Sequence, residues 1–122
     1  MDRARFESLV EEAVAGIPAK FKKLIENVAV MVEEDHPPGR PLLGLYHGVP
    51  FKHRGPYYGN LPPDVIVIYQ RPIEGICRTE EEIKDKVREV VLHEVGHYFG
   101  LEEDELREIE AFIRRTSRGE SS

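Results

Sequence analysis

Tryptophan is missing from the 122 residues, cysteine occurs once and methionine twice. Cys77 cannot close an internal disulfide, so the fold must rest on its core, and a reducing cytoplasmic setting is expected. Long apolar runs are missing too: Val28 to Val32 and Val65 to Tyr69 are only five residues each, far short of a membrane span. The opening Met1-Asp2-Arg3-Ala4-Arg5 leads into no apolar signal core. No basic run is long enough to track a phosphate backbone, and 17 Lys plus Arg against 23 Asp plus Glu leave a net charge of −6, so nucleic acid is not the expected partner. What remains is 40% hydrophobic and 33% charged, with five Tyr and five Phe, enough to bury a modest core. At 14.0 kDa there is room for one domain and not for a two-lobed cleft.

Phe6, Leu9, Val10, Ala13, Val14 and Ile17 recur at helical spacing until Gly16-Ile17-Pro18 interrupts them, which predicts an amphipathic first helix. A short second helix follows Pro18, with Phe21, Leu24 and Ile25 on one face. Val28 to Val32 reads as a strand covered on both faces and closed by Glu33-Glu34-Asp35. Leu42 to Tyr46 reads as a second strand in which Gly44 marks a bulge or a close backbone approach. Gly48 to Pro63 is a Gly/Pro-rich folded loop or hairpin, and Val65 to Tyr69, ended by Pro72 and Gly75, is the strongest strand. Thr79 with Glu82 forms a capping box, opening a long helix that Gly100 stops in a left-handed turn. From Val90 to Phe99 its only strongly polar side chains are His93, Glu94 and His97, which predicts burial nearly all round. Leu106, Ile109, Ala111, Phe112 and Ile113 mark a further helix. The expected domain spans residues 1–115, with 116–122 a disordered tail.

His93-Glu94-Val95-Gly96-His97 carries the functional reading. Imidazoles four residues apart on a helix are offset by about 6 Å along the axis and about 40° around it, so both can reach one ion. Glu94, about 100° round from His93, is close enough to hold a water yet turned away from the metal. His93 and His97 are therefore expected to ligate one zinc per chain, with Glu94 the general base for a water acidified by the ion. A chance match is expected in roughly three chains in a hundred of this composition. A satisfied core histidine explains either imidazole alone, but burying both beside Glu94 without a shared partner costs several kcal/mol. A catalytic zinc needs a third protein ligand. Gly100 lets the chain double back and bring Glu103 toward the ion, with Asp104 the alternative and Glu108 or Glu110 behind it. The same acids also suit the positive end of the next helix.

His93 to Gly100 resembles the zincin metallopeptidase signature, His-Glu-x-x-His-x-x-Gly-x-x-Glu when Glu103 is included. Residues 27–30, 42–46, 54–55, 58–59, 65–69 and 91–101 resemble more closely the small bacterial minimal zincins, a similarity running from Phe6 to Leu106. That resemblance implies a single-domain α+β fold in which a small mixed β-sheet packs on the long active-site helix, flanked by N- and C-terminal helices. It also implies zinc metallopeptidase activity. Members usually carry an aspartate where Glu103 stands, and the longer side chain keeps the ligand chemistry. Met1 and Met31 both precede the motif, so the methionine turn of full metzincins is not met.

In zincins an extended peptide lies antiparallel to an edge strand above the metal, which makes Leu42 to Tyr46, with Leu43 and Gly44, the candidate substrate edge. Arg54 and Tyr58 in the Gly/Pro-rich loop are candidate substrate or oxyanion contacts, beside the plainer reading of loop packing. His36, His47 and His53 lack helical spacing to any partner and read as surface residues, and Cys77 as a small buried hydrophobe. Hydrolysis of peptide bonds in short or unfolded peptides is the expected function, with the oligomeric state open between a monomer and a weak dimer. The alternatives are a non-enzymatic metal-containing binding module and a metal-dependent ribonuclease. Glu94 and the net charge of −6 count against the second.

Overall fold

The structure, a computed structural model, describes residues 1–25, 27–48, 64–100, 104, 107 and 111. Asp2 caps the first helix, α1 (Arg3–Ala15), its carboxylate accepting the Arg5 N–H at 2.7 Å. Phe6, Leu9, Val10 and Ala13 form its buried stripe, as the spacing predicts. The second helix, α2 (Ala19–Leu24), begins directly after Pro18. Three strands follow: β1 (Ala29–Glu33), β2 (Gly44–His47) and β3 (Val65–Tyr69). The short helix α3 (Gln70–Gly75) and the long helix α4 (Glu80–Phe99) complete the described elements. Asp104, Arg107 and Ala111 are helical and exposed. The fold is a small single-domain α+β arrangement with a mixed sheet, as the resemblance implies.

The sheet runs β1-β3-β2, with β1 parallel and β2 antiparallel to β3. Ile66 and Ile68 of the central strand are fully buried toward the helices, and their β2 partners, Tyr46 and Gly44, share that face. Phe6, Val10, Ile66, Ile68, Val87, Val91 and Tyr98 thus bring α1, the sheet and α4 into one core.

Two expectations fail here. Val28 to Val32 is not covered on both faces: β1 has β3 as its one strand partner among the described residues, only Val32 is buried, and Met31 is 48% exposed. An uninterrupted apolar run marks a strand without saying which strand takes the centre, and the five residues of β3 hold that place. Nor do Pro72 and Gly75 simply end β3. The chain enters α3 at Gln70 with Pro72 in the first turn, where a missing N–H forfeits no intrahelical bond, and fully buried Ile73 anchors the helix.

The capping box of α4 forms as read: Thr79 Oγ1 accepts the Glu82 N–H at 3.1 Å and lies 3.3 Å from the Glu82 carboxylate. Gly100 closes the helix at φ 75°, its N–H bonded to the His97 carbonyl at 3.0 Å. At 1.5 Å per residue the 20 residues span about 30 Å, so α4 crosses under the sheet and reaches β2 with its last turns. No helix among the described residues is long and apolar enough to cross a membrane.

Candidate metal centre

The last two and a half turns of α4 are walled by apolar neighbours: Val90, Val91, Val95 and Tyr98 are buried, and no residue from Val90 to Phe99 is exposed. Into this stretch the motif places three polar groups. The rings of His93 and His97 are half-buried, with centroids 4.6 Å apart and planes at 79°. Glu94 is 7% exposed, an unusual position for a carboxylate that must be offset by polar partners. One ligand-capable atom from each of His93, Glu94 and His97 lies within 4.8 Å of the others. That envelope accommodates the separation of about 3.4 Å between neighbouring ligands on a tetrahedral zinc.

The helix alone does not fix Glu94; the sheet does. Val90 and Glu94 stand one turn apart on the face of α4 toward β2, and both meet Gly44. A Cβ placed on Gly44 would lie 2.7 Å from Val90 Cγ1, 3.2 Å from the Val67 carbonyl and 3.3 Å from Glu94 Cγ. The close backbone approach expected at Gly44 is therefore the contact of β2 with Val90 and the stem of Glu94. Below it Tyr98 stacks edge-to-face on Tyr46 at 5.9 Å and on Phe99 at 5.1 Å, seating the last turn that carries His97.

The residues present fit zinc: two imidazole nitrogens suited to ligate it, with a buried carboxylate beside them suited to act as base rather than ligand, in an apolar surround where each alone would be costly to bury. Asp104 is exposed and lies outside the group, and Glu103 lies outside the described residues, as do Arg54 and Tyr58. Leu43 is half-buried against the core, its carbonyl accepting the Tyr69 N–H at 3.0 Å. That bond makes Leu43 and Tyr69 a hydrogen-bonded pair, so by the antiparallel alternation the N–H and C=O of Gly44 turn away from β3. Among the other histidines, the His36 ring nitrogen Nδ1 is 2.8 Å from the Pro37 carbonyl and His47 is exposed at the end of β2; neither joins the cluster. Tyr69, buried on the opposite sheet face from Ile68, has its hydroxyl pushed above the ordinary phenol range by burial, against the pull of Arg40. Sequence reasoning did not single it out, and a tyrosine closing a strand carries no signal that would.

Paired imidazoles and a buried carboxylate on a helix, packed under the antiparallel outer strand among the described residues of a small mixed sheet, define a zincin-like site. The chain belongs to the zincin-like metallopeptidase family, whose model matches residues 25–112. Among solved structures it is similar to a conserved hypothetical protein from Thermus thermophilus, with 26% identity over 81% of this chain and 94% of that one, and a TM-score of 0.58. No curated protein matches.

Proposed function

We propose that the protein is a zinc-dependent peptidase that hydrolyses short or unfolded peptides in the cytoplasm, with Glu94 as general base. The observation that carries the reading is the buried Glu94 carboxylate held within 4.8 Å of both imidazoles. His93 and His97 would hold the zinc, with Glu103 as the third ligand supplied by the chain after Gly100. When bound, zinc supplies a Lewis acid that acidifies a water and polarises the substrate carbonyl. Glu94 takes the proton of the attacking water and returns it to the departing amine, a shuttle its position on the β2 side of the imidazoles permits. The outward N–H and C=O of Gly44 offer an extended peptide the first rung of an added strand directly beside that base. Arg54 and Tyr58 remain the proposed contacts to the substrate or its developing oxyanion.

The test is a peptide library incubated with native protein and with Glu94→Gln, each carrying zinc. Native protein should cleave, and Glu94→Gln should hold about one zinc per chain while its turnover falls at least about 100-fold. Equal cleavage by both proteins removes Glu94 as base. Zinc binding without cleavage by either returns the chain to a metal-containing binding module.

A further inference from the structure

We infer that Gly44 is a positioning residue for Glu94: the missing side chain on β2 leaves the room that the stem of a carboxylate on α4, fifty positions away in sequence, occupies. The inference rests on the peptidase reading for its consequence and on geometry for its substance.

The three heavy atoms nearest a Cβ at Gly44 belong to Val90, Val67 and Glu94, and none to His93 or His97. Two of them cannot give way easily. Val67 offers a backbone carbonyl inside the central strand, and the Val90 side chain is β-branched and held near one χ1 well in a helix. The third, Glu94 Cγ at 3.3 Å, is closer than an ordinary van der Waals contact, so a methyl group at position 44 displaces the stem of the carboxylate once Val90 has been accommodated. His93 and His97 project from an adjacent face of the helix and keep their 4.6 Å ring separation. The glycine thus separates two properties that the motif combines: metal binding, set within the helix, and placement of the base, set by the strand.

Four proteins test this: native, Gly44→Ala, Val90→Ala and Gly44→Ala/Val90→Ala. The double variant removes the 2.7 Å clash and leaves the added methyl 3.2 Å from the Val67 carbonyl and 3.3 Å from Glu94, so its melting point against Val90→Ala reads the residual packing strain and its couplings read Glu94. In metal-free protein, three-bond couplings across Glu94 Cα–Cβ report χ1, and a nuclear Overhauser effect between the Gly44 Hα and the Glu94 Hγ protons reports the native contact. The double variant should melt with Val90→Ala and bind zinc within about threefold of native. It should nevertheless show altered Glu94 couplings, and kcat lowered by about 10- to 100-fold at unchanged KM. A raised KM at native kcat, or native couplings in the double variant, overturns the inference and leaves Gly44 as a packing glycine. If native protein cleaves nothing, the peptidase reading fails, and the couplings alone still decide whether the strand orients Glu94.

Discussion

The two halves of α4 obey different rules. From Glu80 to Glu89 the helix is built for initiation and, apart from fully buried Val87, faces mostly solvent. Three acids sit in its first turn at the positive end of the dipole, and Lys86–Glu89 and Asp85–Arg88 pair along the surface at 3.1 and 3.8 Å. From Val90 to Phe99 nothing is exposed, and the strongly polar groups that remain are His93, Glu94 and His97, the candidate metal cluster. In the first half a lost charge is replaced by water. In the second, an imidazole or carboxylate that loses its shared partner stays in an apolar surround and bears the full cost. The contrast explains how one continuous helix can combine an ordinary solvent-facing start with the candidate metal cluster.

The largest expected effect tests the second half. His97→Ala should reduce zinc from about one per chain to near none in elemental analysis after zinc-replete purification, with helical circular dichroism retained. Unchanged metal content would mean that the imidazole pair is not the ligand set. Next comes packing beside the site: Val91 is fully buried, so Val91→Ala loses two buried methyl groups and leaves a small void. About 2 kcal/mol of unfolding free energy should go with it in urea titration. A loss within about 0.5 kcal/mol would place that position among surface-like sites and erase the distinction between the halves.

How far the sequence discloses this molecule follows the range of each interaction. Thr79 with Glu82, Gly100, and the His93 to His97 spacing are fixed within four residues, and all appear in the structure as read. The rank of the strands is not local. β1 and β3 are equally apolar runs, and only pairing with both neighbours makes β3 central. α3 escapes notice because its six residues carry Pro72 and Gly75, and it is stabilised by Ile73 meeting the core rather than by propensity. Gly44 is legible as a close approach, but Glu94 as the group approached is not, since strand and helix meet only in three dimensions. Glu103, proposed as third ligand, and Arg54 and Tyr58, proposed as loop contacts, lie outside the described residues.

The first half of α4 sharpens the comparison with smaller effects. Thr79→Ala removes the acceptor of the Glu82 N–H and should cost about 1 kcal/mol in the same urea titration, with zinc content unchanged. A fall in zinc binding there would show that the helix start and the metal centre are coupled along the full 20 residues.

Smallest of all should be the exposed pair of Arg5 and Glu80, which ties α1 to the first turn of α4 through two bonds from the guanidinium to one carboxylate oxygen, at 2.5 and 2.8 Å. Glu80 lifts the guanidinium further above its ordinary range, chiefly through that hydrogen bond and then through charge, so Arg5 stays cationic wherever the protein is folded. Both side chains remain about half exposed, and water and salt screen what they share. A double-mutant cycle with Arg5→Ala and Glu80→Ala should therefore return a coupling below the effect of Thr79→Ala, vanishing in about 1 M salt while the cap effect persists. The cycle is needed because Glu80 also faces the helix dipole, and its single substitution loses both contributions. A coupling as large as the cap, and insensitive to salt, would mean that the first half of α4 is held by its neighbours as firmly as the second, and that exposure does not divide the helix.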